Sequence, residues 1–169
     1  MTAGSRDLTF AALTPADAQE AARLFRTAIA EGGASGWDET AIAGALDAGG
    51  FGAVAFARPG RLAGAVLASP AGDVADIANI VVAAEARGGG VARALMTLAL
   101  GMARDRGYER VMLEAAADNA PALGLYSAMG FNNVGRRPNY YRRGDVLISA
   151  EVFAIRLNIE TTPEFPSKT

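Results

Sequence analysis

The chain has 169 residues, about half of them apolar (51%), which suffices for one domain with a single sizeable core. Its formal net charge of −2 gives no bulk attraction for nucleic acid or an anionic membrane, and no apolar run approaches the ~18 residues that a bilayer crossing needs. Cysteine and histidine are absent and Lys168 is the only lysine, so disulfides, thiol nucleophiles, the usual zinc sites and a lysine Schiff base are all excluded, and no metal is expected.

Any general base must therefore be a carboxylate, a tyrosine, a water or a chain terminus. The opening Met-Thr-Ala-Gly-Ser-Arg-Asp lacks the apolar core of a signal peptide, and a cytoplasmic location is the expectation.

Residues 1–7 read as a disordered N-terminus, 8–158 as one alternating α/β domain without repeats, and 159–169 as a flexible tail. Leu8 to Ala12 is a predicted strand. Thr14 at N-cap, Pro15 at N1 and Asp17 reaching back open a helix with apolar residues at Ala18, Ala21, Ala22, Phe25 and Ile29, running to about Ala30. A glycine-rich loop follows over 31–36, then a short helix from about Asp38 to Gly49-Gly50. Phe51 to Arg58 and Leu62 to Ala68 form a hairpin around Pro59-Gly60, and Val74 to Val82 is a further strand. Val91, Ala94, Leu95, Leu98, Ala99 and Met102 make the apolar face of a helix that stops at Gly107. A short buried strand at Val111 to Ala115, a helix at Ala120 to Met129, and strands near Asn133 to Arg137 and Val146 to Leu157 complete the domain.

The junction at Ile80 to Met96 is the most informative stretch. A β-rich run ends, Gly88-Gly89-Gly90 follow with Arg87 at their entrance, and a helix starts at once. Backbone N–H groups converging on a helix N-terminus suit an anion such as a cofactor phosphate; a ligand-free tight turn is the alternative. The residues after the glycines are not Lys-Ser/Thr, which removes a P-loop, and the spacing fails the dinucleotide fingerprint.

What does fit is Arg87-x-x-Gly90-x-Ala92. This resembles the signature of the GNAT superfamily of N-acetyltransferases, which cradle the pyrophosphate of acetyl-CoA. A second segment in the correct order, Asn119-x-x-Ala122-x-x-Leu125-Tyr126-x-x-x-Gly130-Phe131, resembles the family closely. The resemblance implies an α/β (α+β) GNAT fold: a central mixed, mostly antiparallel sheet flanked by helices and splayed between its fourth and fifth strands. Within the superfamily the chain is most similar to the RimI-type ribosomal-protein alanine N-acetyltransferases. That likeness rests on Leu113-Glu114, Asn79-Ile80-Val81-Val82, Gly36-Trp37-Asp38 and Arg137-Pro138-Asn139-Tyr140-Tyr141.

The resemblance assigns roles. Ile80, Val81 and Val82 would pair with the pantetheine amides, and Arg87, Gly88, Gly89, Gly90, Val91 and Ala92 would receive the pyrophosphate. Asn119 is a helix N-cap and, in the family, also a cofactor contact. Tyr126 would be the general acid, since a phenol with a reference pKa of ~10 stays protonated at neutral pH; its alternative role is core packing. Glu114 would be the general base, directly or through a water, or else a strand-end carboxylate paired with an arginine. Trp37, Asn79, Tyr140 and Tyr141 would meet the acceptor. Arg136, Arg137, Arg142 and Arg143 could steer an acidic acceptor or be ordinary surface charges.

Roughly a tenth of an α-amine is already deprotonated at neutral pH, against less than about a thousandth of lysine. A single carboxylate is therefore an adequate base for an N-terminus and a poor one for lysine. These points lead to direct transfer from acetyl-CoA to the N-terminal α-amine of a ribosomal or other protein, by a monomer or weak homodimer, with no nucleic acid or membrane partner. The alternatives are a small-molecule amine or polyamine acetyltransferase, and a non-catalytic acyl-CoA-binding module.

Overall fold

The computed structural model describes residues 8–30 and 36–158; the expectations for 1–7, for most of the 31–36 loop and for the 159–169 tail fall outside them. Strand β1 (Thr9–Ala12) leads into a 3-10 turn at Pro15–Asp17 and helix α1 (Ala18–Ala30). The Asp17 carboxylate accepts from the Thr14 N–H at 2.9 Å and from its hydroxyl at 2.7 Å, fixing the helix entry as the sequence predicts. Helix α2 (Glu39–Asp47) is capped by Asp38, which accepts from the Ala41 N–H at 2.8 Å.

Strands β2 (Phe51–Arg58), β3 (Arg61–Ala71) and β4 (Val74–Val82) form a meander. Helix α3 (Val91–Asp105) then crosses to β5 (Arg110–Ala116), and α4 (Ala120–Ala128), β6 (Asn132–Arg143) and β7 (Val146–Arg156) follow. The seven strands make one sheet in the order β1-β2-β3-β4-β5-β7-β6, with β4–β5 as its parallel pair.

Each face of the sheet carries its own core. Val91, Leu95, Met96, Ala99 and Ala103 of α3 and Tyr126 of α4 pack on one face, while Ala18, Ala21, Ala22 and Phe25 of α1 and Ile42 of α2 pack on the other. Gly64 on β3 is needed for space: a Cβ there would lie 2.8 Å from Leu95 Cδ1 and 3.1 Å from Val91 Cγ1. Its absence lets the first turns of α3 sit directly on the sheet.

The splay has a local cause. β4 and β5 pair only from Val74↔Arg110 to Ile77↔Leu113. At that point β4 carries a bulge: Ala68 faces Ile77 and Leu67 faces Asn79, so Ala78 is an extra residue. A bulge bends and overtwists its strand. It also changes the strand's phase. Ala75 and Ile77 face the α3 core, but beyond the bulge Ile80 and Val82 face it instead, while Ala78, Val81 and Ala83 turn to the α1 side. Past the bulge β4 keeps only β3, and residues 114–116 of β5 keep only β7.

Two strands run further than expected. β3 continues through Ser69-Pro70 to Ala71. β6 does not end at Arg137 but continues to Arg143, because the Pro138-Asn139 signal marks a bulge and not a stop. Between Arg137↔Ala150 and Tyr141↔Ile148, β6 advances four residues while β7 advances two. Asn139 takes a left-handed φ of 54°, which Asn tolerates better than most residues. Pro138, lacking an N–H, is accommodated because β6 is the sheet's edge.

Candidate active site

The diverging strands enclose a cleft of about 380 Å³. Asn79 to Val82 form one wall and Glu114 to Ala116 the other, with Tyr126 and Tyr141 also lining it. A second hollow of about 470 Å³ continues from it over Gly88, Gly90 and Ala92, and shares Ile80, Val82, Asn119 and Tyr126 with the first. Together they run from the glycine loop to the middle of the sheet.

Gly88 and Gly90 adopt φ of 77° and 78°, a region that side-chain-bearing residues seldom enter. Gly90 is the N-cap of α3, and the first helical bond runs from the Ala94 N–H to its carbonyl at 3.0 Å. The N–H groups of Val91, Ala92 and Arg93 therefore have no acceptor within the helix. A Cβ built at Gly88 or Gly90 meets nothing within 4 Å, so the loop surface stands open to a ligand. This end fits a pyrophosphate: N–H groups left over by the helix, the positive end of the α3 dipole and an unobstructed approach. Arg87 holds the loop in place, its Nε donating to the Val82 carbonyl at 3.1 Å. The adjoining β4 segment offers the backbone edge that β5 has left, which suits the amides of a pantetheine arm. Val81 turns its side chain into the α1 core, whereas Ile80 and Val82 pack on the α3 side and line both hollows.

Tyr126 rises from α4 between the two hollows. It is 5% exposed, and its ring meets those of Phe131 and Phe153, each at 5.9 Å between centroids. Burial, and then the neighbouring Tyr141, push its pKa up to about 12. The hydroxyl is therefore a proton donor at any ordinary pH. Asn119 caps α4 through Oδ1, which accepts from the Ala122 N–H at 3.3 Å, and it lines both hollows.

Glu114 enters from the opposite side of the sheet. Leu113 and Ala115 belong to the α3-side core, so the residue between them faces the α1 side. Its carboxylate pairs with Arg137 Nε. The Arg137 guanidinium also lies 5.8 Å from the Tyr140 ring centroid, and the Tyr140 and Tyr141 rings meet edge-on at 5.1 Å. Hydrogen bonding to Glu114, and then its charge, raise the Tyr140 pKa. Burial, and then Glu114, push Tyr141 up to about 12. Asp76 on β4 joins the group: its pKa is raised by burial and by Glu114, and Arg137 opposes the shift. The result is a cluster of charged and phenolic groups on the α1 side of the cleft.

Asn79, Glu114, Asn119, Tyr126 and Tyr141 thus line one cleft. Trp37 does not join them; it is half-buried against the α1/α2 core. Tyr140 stands at the rim, 53% exposed. Three of the four arginines of β6 are paired: Arg136 with Glu151 at 3.1 Å, Arg137 with Glu114 and Arg143 with Asp118. Sequence reasoning missed Asp76; the one available signal was a lone carboxylate in the apolar run Val74-Ala75-Asp76-Ile77.

Sheet, glycine loop and cleft define the class as a GNAT-fold acyltransferase. The chain belongs to the acetyltransferase (GNAT) family, whose model matches residues 18–131, and it is an acetyl-CoA-dependent N-acetyltransferase. The [ribosomal protein bS18]-alanine N-acetyltransferase of Escherichia coli (strain K12) is 31% identical over 100 residues, covering 59% of this chain and 68% of that one. The crystal structure of the ribosomal-protein-S18-alanine N-acetyltransferase from Escherichia coli superposes with a TM-score of 0.75 at 26% identity, covering 93% of this chain and 97% of that one. A GNAT superfamily phosphinothricin acetyltransferase from Sinorhizobium meliloti, solved in complex with acetyl-CoA, shares the fold with a TM-score of 0.77 at 18% identity, covering 89% and 88% of the two chains. Among the described residues no helix is long and apolar enough to cross a membrane.

Proposed function

We propose that this enzyme transfers acetyl directly from acetyl-CoA to the α-amine of a protein N-terminus, with a ribosomal protein as the first candidate acceptor and the cytoplasm as its place of work. One observation carries the reading: Tyr126 and Glu114 enter a single cleft from opposite faces of the sheet, the phenol from the buried side and the carboxylate from the charged cluster. The likeness to the bS18-alanine enzyme supports the choice of acceptor.

Bound acetyl-CoA supplies a thioester carbonyl open to attack by an amine. The loop from Arg87 to Ala92 anchors its pyrophosphate, and the side of β4 that β5 leaves uncovered from Ile80 to Val82, where the Val82 carbonyl already accepts from Arg87, aligns the arm through its remaining groups and offers an N–H to the carbonyl oxygen. Glu114 takes the proton that the acceptor amine sheds as the C–N bond forms, directly or through a water. As the C–S bond breaks, the Tyr126 hydroxyl donates its proton to the departing sulfur. Asn79, Tyr140 and Tyr141 surround the acceptor's entry; Trp37 supports the α1/α2 wall from a distance.

A thiol-release assay with acetyl-CoA against N-terminal peptides, internal-lysine peptides and polyamines tests the proposal. Turnover on free N-termini, abolished by blocking the α-amine, is the expected result. Preference for polyamines or lysine side chains would transfer the assignment to a small-amine or lysine acetyltransferase, and inactivity on every acceptor would favour a binding module.

A further inference from the structure

We propose that the Arg137 guanidinium is a tethered stand-in for the acceptor's ammonium group, holding Glu114 until the incoming amine displaces it. The inference rests on Glu114 serving as the acceptor-side base.

Three observations point this way. First, the pair is lopsided. The Glu114 side chain is only 22% exposed, whereas Arg137 is 61% exposed and reaches the carboxylate from solvent. It comes from the side an acceptor must use, past Tyr140 at the rim. Second, Arg137 borders a break in the ladder. It is the last residue of regular β6–β7 pairing before the Pro138–Tyr140 bulge, on the strand at the sheet's edge. Third, the displaced guanidinium has somewhere to go. The Tyr140 ring lies 5.8 Å away, and Asp76 on the neighbouring strand already feels both Arg137 and Glu114. The groups facing Glu114 are thus Asp76 from β4 and Arg137, Tyr140 and Tyr141 from β6.

The chemistry matches. A guanidinium and an ammonium are both unit cations that donate N–H bonds to a carboxylate. The guanidinium stays protonated at working pH, so it occupies the amine's place without becoming a nucleophile. Displacement is affordable, because a solvent-reached pair of this kind is worth up to about fivefold in an equilibrium constant. The arrangement also sorts acceptors: a cationic amine can replace Arg137, while a neutral amide or hydroxyl has nothing to offer the carboxylate.

The test uses the full chain and a peptide with a free N-terminal alanine. Arg137→Ala and Arg137→Gln should each lower the acceptor KM by about two- to fivefold. Methylguanidinium should compete with the peptide, and do so several-fold better against Arg137→Ala than against wild type. That gain should vanish in Arg137→Ala/Glu114→Gln. A raised or unchanged KM in both variants, or equal methylguanidinium inhibition of Arg137→Ala and wild type, overturns the inference. Glu114→Gln alone separates the two levels: wild-type activity there removes Glu114 as the base and with it the parent reading. An impaired Glu114→Gln beside Arg137 variants of unchanged KM removes only the stand-in role.

Discussion

Replacing Tyr126 with Phe isolates one atom of the proposed machinery. The ring is 5% exposed and keeps its contacts with Phe131 and Phe153 in the variant, because Phe fills the same volume. The hydroxyl is what changes, and it serves the cleft. Folding stability should therefore move by less than about 1 kcal/mol, whereas Tyr126→Ala, which empties the ring's space, should lose about 3–5 kcal/mol. Acetyl-CoA affinity, measured by calorimetry, should stay within about threefold of wild type. Turnover should fall by ~10²–10⁴, the usual worth of a general acid, or about 3–5 kcal/mol on the barrier. Because the Tyr126 pKa is pushed up to about 12, the wild-type rate should also show no descending alkaline limb from this group below about pH 11. A Tyr126→Phe enzyme that binds acetyl-CoA normally and turns over within threefold of wild type would refute the argument and leave Tyr126 as core packing.

Other consequences are as direct. Gly90→Val forces a β-branched residue into φ of 78° and fills the open face of the loop, so acetyl-CoA affinity by calorimetry should fall about tenfold or more, ~1.4 kcal/mol at least. Glu114→Gln should depress kcat/KM near neutral pH and approach wild type above the acceptor's amine pKa, where no base is needed; a defect independent of pH would indicate a purely structural role. The raised Tyr126 pKa also makes stability pH-dependent. The unfolded chain ionises near pH 10 and the folded one near 12, so the contribution is whole below pH 10 and is lost as pH climbs through 12. The integrated loss is about 2–3 kcal/mol, readable as a fall in urea midpoint that Tyr126→Phe should reduce.

Features set by short-range chemistry were legible in the sequence. Gly88 to Gly90 marked the loop that opens α3, Thr14, Asp38 and Asn119 announced helix starts, and Tyr126 stood at a motif position. What escaped depends on partners distant in the chain. The Ala78 bulge exists only relative to β3, and it decides which β4 residues face the cleft. The extension of β6 beyond Pro138 depends on its being the edge strand, which local composition does not reveal. The Arg137–Glu114 pair spans twenty-three positions, and among four arginines in one segment nothing local singles out Arg137. Trp37 is placed by packing as well: it sits half-buried against the α1/α2 core, a contact that its motif neighbours do not specify.

The central claim is direct acetyl transfer to an N-terminal α-amine, and one measurement meets it head-on. A peptide with a free N-terminal alanine and an internal lysine, incubated with enzyme and acetyl-CoA and sequenced by tandem mass spectrometry, locates the acetyl group. The account predicts one acetyl on the α-nitrogen and none on the same peptide once that nitrogen is blocked. Acetyl on the lysine of the blocked peptide would contradict it.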